Sequence, residues 1–223
     1  MSNRIIRALL LSACLAVTLA YGGVAQAQET DRQLTEIERL ATQVETAKTT
    51  PERDKLADTL ESRLQAYVRA TLANFDAAIK QLQATAKSRE PNFEALKKLE
   101  DGLQNQEKRL NELDKRMQKM KPSSSLQPLE GGKLALGWLL GKIGDAVISP
   151  AQAAIALSIY NTCNAKPYNQ AACLKAATTG HSQRVAAQST YNACWSKHAN
   201  RKPNWVRAAL RAGCVAALVA RLA

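Results

Sequence analysis

Four cysteines in a repeated pattern constrain this chain more than any other feature. Residues 158–163 read SIYNTC and are echoed by 189–194, which read STYNAC. Residues 171–176 (AACLKA) are echoed in the same way by 212–217 (AGCVAA), and a lysine–proline step separates the two motifs of each copy. Because proline breaks a helix, this repetition predicts two helix–turn–helix hairpins.

The spacing of the cysteines favours one disulfide within each hairpin. Facing residues of an antiparallel hairpin lie equally far from its turn, and both Cys163/Cys173 and Cys194/Cys214 are centred beside the proline of their own turn. Four cysteines allow three pairings, and the main alternative joins the repeats as Cys163–Cys194 and Cys173–Cys214. Each bridge would stabilise the fold by about 3 kcal/mol through loop closure.

The first 27 residues have the three parts of a secretory signal. Arg4 and Arg7 precede an apolar run, and a small-x-small site ends at Ala27. The run is too short for a comfortable membrane span of about 20 residues. We therefore expect cleavage after Ala27 and a periplasmic or secreted protein, a location in which cysteines pair. A lipoprotein signal at Cys14 is the disfavoured alternative.

Charge is divided unevenly between the two halves of the chain. Residues 28–132 contain 18 Lys and Arg and 18 Asp and Glu, whereas residues 133–223 contain 11 Lys and Arg and a single acid, Asp145. A solvated face normally mixes both signs, and a one-sided field attracts anionic partners. The candidate anion-binding residues are Lys197, Arg201, Lys202, Arg207, Arg211 and Arg221.

The neutral half, residues 28–121, predicts helices packed along their length. Apolar residues at three- and four-residue spacing favour a helix at 30–48. Thr50 and Pro51 then supply an N-cap and a first-turn proline for a longer helix that continues to Leu82. Its apolar stripe is broad, which indicates contact with more than one neighbour.

The third helix, at residues 96–120, has the clearest pattern. Its heptad a and d positions are apolar except for Gln106, which we interpret as a polar layer or a register pin. Short proline-containing turns favour an up-down-up antiparallel coiled coil. Self-association through this third helix is the alternative.

Serine, proline and glycine mark a linker at residues 122–132, which separates the coiled-coil domain from a basic four-cysteine domain at 133–223. The apolar stretch at 134–148 carries Lys142 and Asp145, which are costly inside a bilayer. A closely packed helix is favoured there, and a helix lying in the membrane interface is the alternative.

Four helices are expected in the remaining chain, near residues 150–164, 168–179, 182–199 and 203–222. Gly180 suits a C-terminal stop and Ser182 suits the N-cap of the next helix. The predicted fold class is therefore all-α, with an N-terminal antiparallel helical coiled coil followed by a disulfide-stapled bundle of helical hairpins.

Sites that would carry chemistry are poorly supported. Cys194 and His198 lie four residues apart on one helical face and His181 is a third candidate ligand, but zinc requires thiolates and exported cysteines pair. Nucleophilic catalysis needs a base and an orienting acid, and Asp145 is the only acid of the basic half. We predict no catalytic residue, metal or cofactor.

These patterns predict a non-enzymatic exported protein. The coil would serve as a spacer or assembly element, and the basic domain would bind an anionic envelope component or an acidic protein, with peripheral membrane contact. The alternatives are a membrane-perturbing, toxin-like protein and a helical component of a secretion or conjugation machine. Trp195 and Trp205 lie near basic residues and could stack on bases, but nucleic acid is disfavoured because no binding motif is present.

Overall fold

The computed structural model describes residues 28–88, 91–119 and 154–223, and all regular secondary structure in these residues is helical. The all-α prediction is confirmed for them. The predicted leader, the linker at 122–132 and the apolar stretch at 134–148 lie outside the described residues. The described helices are α1 (28–46), α2 (Thr50–Thr85), α3 (Glu94–Lys119), α4 (Ile155–Cys163), α5 (Gln170–Lys197) and α6 (Asn204–Leu222).

Helix α2 begins for the reasons that its sequence indicates. The side chain of Thr49, one residue before the predicted cap, accepts a hydrogen bond from the backbone N–H of Glu52, and Pro51 lies in the first turn. The buried residues of α2 extend from Ala57 to Leu82. They cover more than one side of the helix because both α3 and α6 pack against it.

Helix α3 returns alongside α2 and contributes a buried polar layer. Gln106 is buried among apolar residues. Its Oε1 accepts a hydrogen bond of 2.7 Å from the Tyr67 hydroxyl of α2, and its Nε2 donates to Thr30 Oγ1 of α1 at 3.3 Å. Because a buried amide must be satisfied, this layer fixes the relative register of α1, α2 and α3.

The last helix, α6, joins the two halves of the chain. Its buried side chains pack against α2 and α3 as well as α5, and they belong to the same hydrophobic core as the buried residues of α1, α2 and α3. The described residues therefore share one core, although the sequence suggests two domains. The predicted boundary itself lies outside the described residues.

The predicted break at Gly180 is wrong, because α5 is a single helix of 28 residues. Gly180 is buried inside it, where a Cβ atom would collide with the side chain of Ile159 in α4. Ser182 caps no helix, and its hydroxyl instead donates to the carbonyl of Thr178. The glycine allows α4 to approach closely. Because α5 continues through this position, the two hairpins share it.

Both predicted disulfides are present. Cys163–Cys173 joins α4 to the start of α5 with a Cα–Cα distance of 4.4 Å, and Cys194–Cys214 joins the end of α5 to α6 at 5.9 Å. Both distances lie in the usual range for a disulfide. In each hairpin the lysine–proline bond of the turn is cis.

A pair of glycine substitutions tests the close contact between α4 and α5. We expect Gly102→Ala in α3 to raise the free energy of unfolding by about 1 kcal/mol, because alanine favours a helix and no neighbouring atom lies within 4 Å of the new Cβ. Gly180→Ala should lower it instead, because the new methyl group collides with Ile159. Urea unfolding followed by circular dichroism measures both. Stabilisation by Gly180→Ala would contradict the contact.

Candidate functional site: the basic end of the second hairpin

The turn between α5 and α6 is the most exposed basic feature of the second hairpin. Lys197, Arg201 and Lys202 are all exposed around this turn. Lys202 Nζ donates to Asn204 Oδ1 at 2.8 Å, and none of the three cations pairs with a carboxylate among the described residues. These side chains form a local positive surface, which we call the basic turn.

The basic turn lies at one end of the helical bundle. Asn204 Nδ2 donates to the carboxylate of Asp58 at 3.0 Å, and the backbone N–H of Trp205 donates to Asp54 Oδ1 at 3.3 Å. Since both acids are in the first turns of α2, the basic turn lies near the loop between α1 and α2. Lys48 of that loop is also exposed, as is Asp58 beside the turn.

Two predicted anion-binding residues, Arg207 and Arg211, form ion pairs within the fold. Arg207 Nε contacts Glu61 Oε1 at 2.8 Å and its Nη2 contacts Asp58 Oδ1 at 2.7 Å, while Arg211 Nη1 contacts Glu61 Oε2 at 2.5 Å. The hydrogen bond to Glu61 raises the pKa of Arg207. Arg211 also lies over the ring of Trp195 at 4.5 Å. These arginines hold α6 against α2 through carboxylates of α2, and their part in binding an external anion stays a prediction.

Arg221, the remaining predicted cation, lies away from the basic turn. Its Nη1 donates to Thr190 Oγ1 at 3.2 Å, across the space between α5 and α6. Both residues line a groove of about 280 Å³ between these antiparallel helices. The six predicted residues therefore divide into the basic turn, an ion-paired anchor and Arg221 in a groove that Lys197 also lines.

The groove is bounded by the second disulfide and by His198. The sulfurs of Cys194 and Cys214 and a ring nitrogen of the buried His198 all lie within 4.8 Å of one another. Because the two sulfurs are bonded to each other, they are not the thiolates that a zinc ion requires. His181, the other predicted ligand, lies 3.7 Å from Asp76 instead of joining this cluster.

The aromatic residues near the site serve packing. Trp195 and Trp205 are buried, so the ring faces proposed for stacking on bases are covered. Tyr191 lines the groove, and burial raises its pKa to about 12. Its hydroxyl therefore remains protonated at neutral pH and can donate a hydrogen bond, but it does not act as a base.

The groove was missed by the sequence analysis, although a signal is present. Ala187 and Ala193 of α5 and Ala217 of α6 contribute small side chains to its walls. A helix interface with alanine on both partners leaves space that larger side chains would fill. These alanines form a groove only because α5 is continuous and antiparallel to α6, and the local sequence pattern does not show that arrangement.

Removing the carboxylate of Glu61 tests the ion-paired anchor. We expect Glu61→Ala to lower the free energy of unfolding by about 3 kcal/mol, because it leaves two largely buried arginines short of a partner. Urea unfolding measures the loss. Glu112→Ala removes an exposed carboxylate whose ion pair among the described residues is with Lys115 of the same helix, and it should leave the midpoint almost unchanged. Equal effects of the two substitutions would contradict the anchor.

None of the described helices is long and apolar enough to cross a bilayer. Comparisons of the chain with protein-family models, curated proteins and solved structures find no match. Function must therefore be inferred from the chemistry of the site itself.

Proposed function

We propose that this chain is a non-enzymatic exported binding protein whose basic turn contacts an anionic envelope surface rich in phosphate head groups. The observation that carries this proposal is the exposure of Lys197, Arg201 and Lys202 together on one turn. A cluster of cations near an anionic surface gains about 1 kcal/mol for each lysine or arginine.

The distribution of ion pairs supports this location. Residues 154–223 contain no acid, yet Arg184, Arg207 and Arg211 are neutralised by carboxylates of α2. These pairs leave the turn residues as cations that face solvent. The grouping of three exposed cations within six residues, more than net charge, distinguishes this surface from Lys166 and Lys175, the other exposed lysines of residues 154–223.

Export is supported by the disulfides. Two bridges in one chain are typical of an oxidising compartment. Export by the predicted signal at residues 1–27 would bring the chain to such a compartment. We further propose that α1, α2 and α3 act as an antiparallel coiled-coil spacer that presents the basic turn at its end. The Tyr67–Gln106–Thr30 layer supports a fixed register for such a spacer.

A non-enzymatic role agrees with the chemistry of the described residues. All four described cysteines are in disulfides. His198 is buried beside one of these bridges and His181 is exposed beside Asp76. The described residues thus bring together no nucleophile, base and acid in the arrangement that acyl transfer requires.

Neutralising the basic turn tests the proposed surface. The triple variant K197Q/R201Q/K202Q should bind anionic phosphatidylglycerol-containing vesicles about 100-fold more weakly than the parent, because three surface cations contribute about 3 kcal/mol. Vesicle co-sedimentation at low and physiological salt measures this, and binding by the parent should weaken steeply with salt. Neutral phosphatidylcholine vesicles should retain neither protein.

A matched control separates local charge from net charge. Lys87, Lys166 and Lys175 are exposed toward the other end of the bundle, where the Tyr168 hydroxyl meets the carbonyl of Ala86. The triple variant K87Q/K166Q/K175Q has the same net charge as the turn variant and should keep most of the vesicle binding. Equal losses would contradict a local surface. If the parent protein binds an acidic protein, such as a carrier with a polyglutamate tag, but binds no vesicles, the partner is an acidic protein and not a membrane surface.

A further inference from the structure

We propose that the groove between α5 and α6 binds a small amphiphilic anion, a carboxylate with an apolar chain of about nine carbon atoms, whose acidic group lies at Lys197. This inference goes beyond the proposed contact with an envelope surface. It concerns one monomeric ligand held between two helices, and only Lys197 belongs to both sites.

The two ends of the groove are polar. Lys197 lines one end, beside the other two cations of the basic turn. Thr190 and Arg221 lie at the other end and are hydrogen-bonded to each other. Lys197 lies beside Arg201 and Lys202, so the end near the basic turn carries three cations against one, Arg221, at the other end. The end near the basic turn is therefore the one that attracts an acidic group.

Most of the groove wall is apolar. Ala187, Ala217 and Leu218 line it together with the Cys194–Cys214 bridge, and Tyr191 and His198 add two polar side chains. The apolar part of such a surface binds hydrocarbon in preference to water. The bridge holds the two helices at a Cα–Cα distance of 5.9 Å at this level. This covalent tie fixes the separation of the two helices, which lowers the entropy cost of binding between them.

The length of the groove sets the size of the ligand. Its volume of about 280 Å³ leaves room for a hydrocarbon chain, since a group the size of water takes roughly 30 Å³ of liquid volume. Thr190 and Lys197 are seven residues apart on one helix, which corresponds to about 10 Å. An extended chain of about nine carbon atoms covers a similar length, and its far end would rest on the hydrocarbon stem of Arg221.

Other occupants fit the groove less well. A fully apolar molecule would leave Lys197 without a partner, and an inorganic anion would leave the alanine and leucine walls exposed to water. A metal ion would require the disulfide to be reduced, because its sulfurs carry no thiolate while they are bonded. A medium-chain carboxylate satisfies both the cation and the apolar walls.

Decanoate, below the concentration at which it forms micelles, is the probe. Proteins labelled with ¹³C on alanine methyl groups are titrated with decanoate and, separately, with decanol. We expect saturable shifts at Ala187 and Ala217 with decanoate, and binding at least about tenfold weaker with decanol, since a charge-assisted contact contributes that much. Equal binding of decanol, or shifts only at alanines outside the groove, would overturn the proposal.

Two variants locate the ligand. Lys197→Met should weaken decanoate binding about tenfold. Lys175→Met, which changes another exposed lysine of the same helix, should not alter it. Ala193→Trp, at an exposed position of the groove wall, should block the groove without disturbing the core. Binding that survives Ala193→Trp would overturn the site. The turn variant R201Q/K202Q leaves the groove intact, so its loss of vesicle binding with unchanged decanoate binding would show that the two sites are separate.

Discussion

Burial of α6 among α2, α3 and α5 is the constraint on which the other features depend. Ten of its 19 residues are buried, so this helix cannot lie on a surface and must be surrounded by other helices. Its arginines are then brought toward the interior, where an unpaired guanidinium would be costly. Glu61 and Asp58 supply the compensating carboxylates. The neutral half therefore provides both apolar surface and negative charge for the basic half.

The features that the sequence predicted correctly are those that local symmetry determines. Each cysteine pair is centred on its own turn, and a hairpin brings such residues together whatever else surrounds it. The broad apolar stripe of α2 likewise indicated several neighbours. The 3.6-residue period of a helix fixes the direction of each apolar side chain, and a stripe wider than one side needs more than one packing partner. In both cases the signal lies within a few turns of the residues that it describes.

The error at Gly180 and the unforeseen ion pairs of Arg207 and Arg211 both depend on a distant contact. Gly180 resembles a helix stop in the sequence. In the structure it lies inside a continuous helix, where its small size allows Ile159 of α4 to approach closely. Arg207 and Arg211 resemble a free basic stripe, yet their partner Glu61 is 146 and 150 residues away in the chain. Nothing in the local pattern around these arginines distinguishes a cation that anchors a helix from one that meets a ligand.

The charge asymmetry of the chain consequently has two physical uses. Where an arginine lies at a helix interface, its charge is paired with a carboxylate and holds the two helices together. Its long aliphatic stem also contributes to packing. Lys197, Arg201 and Lys202 at the turn are exposed and form no ion pair among the described residues, so their charge remains directed at solvent. Since α5 ends and α6 begins at the same turn, the continuity of α5 places these exposed cations beside the mouth of the groove. The shared helix thus gives the second hairpin a charged end and an apolar cleft side by side, a combination suited to an anionic, partly apolar partner.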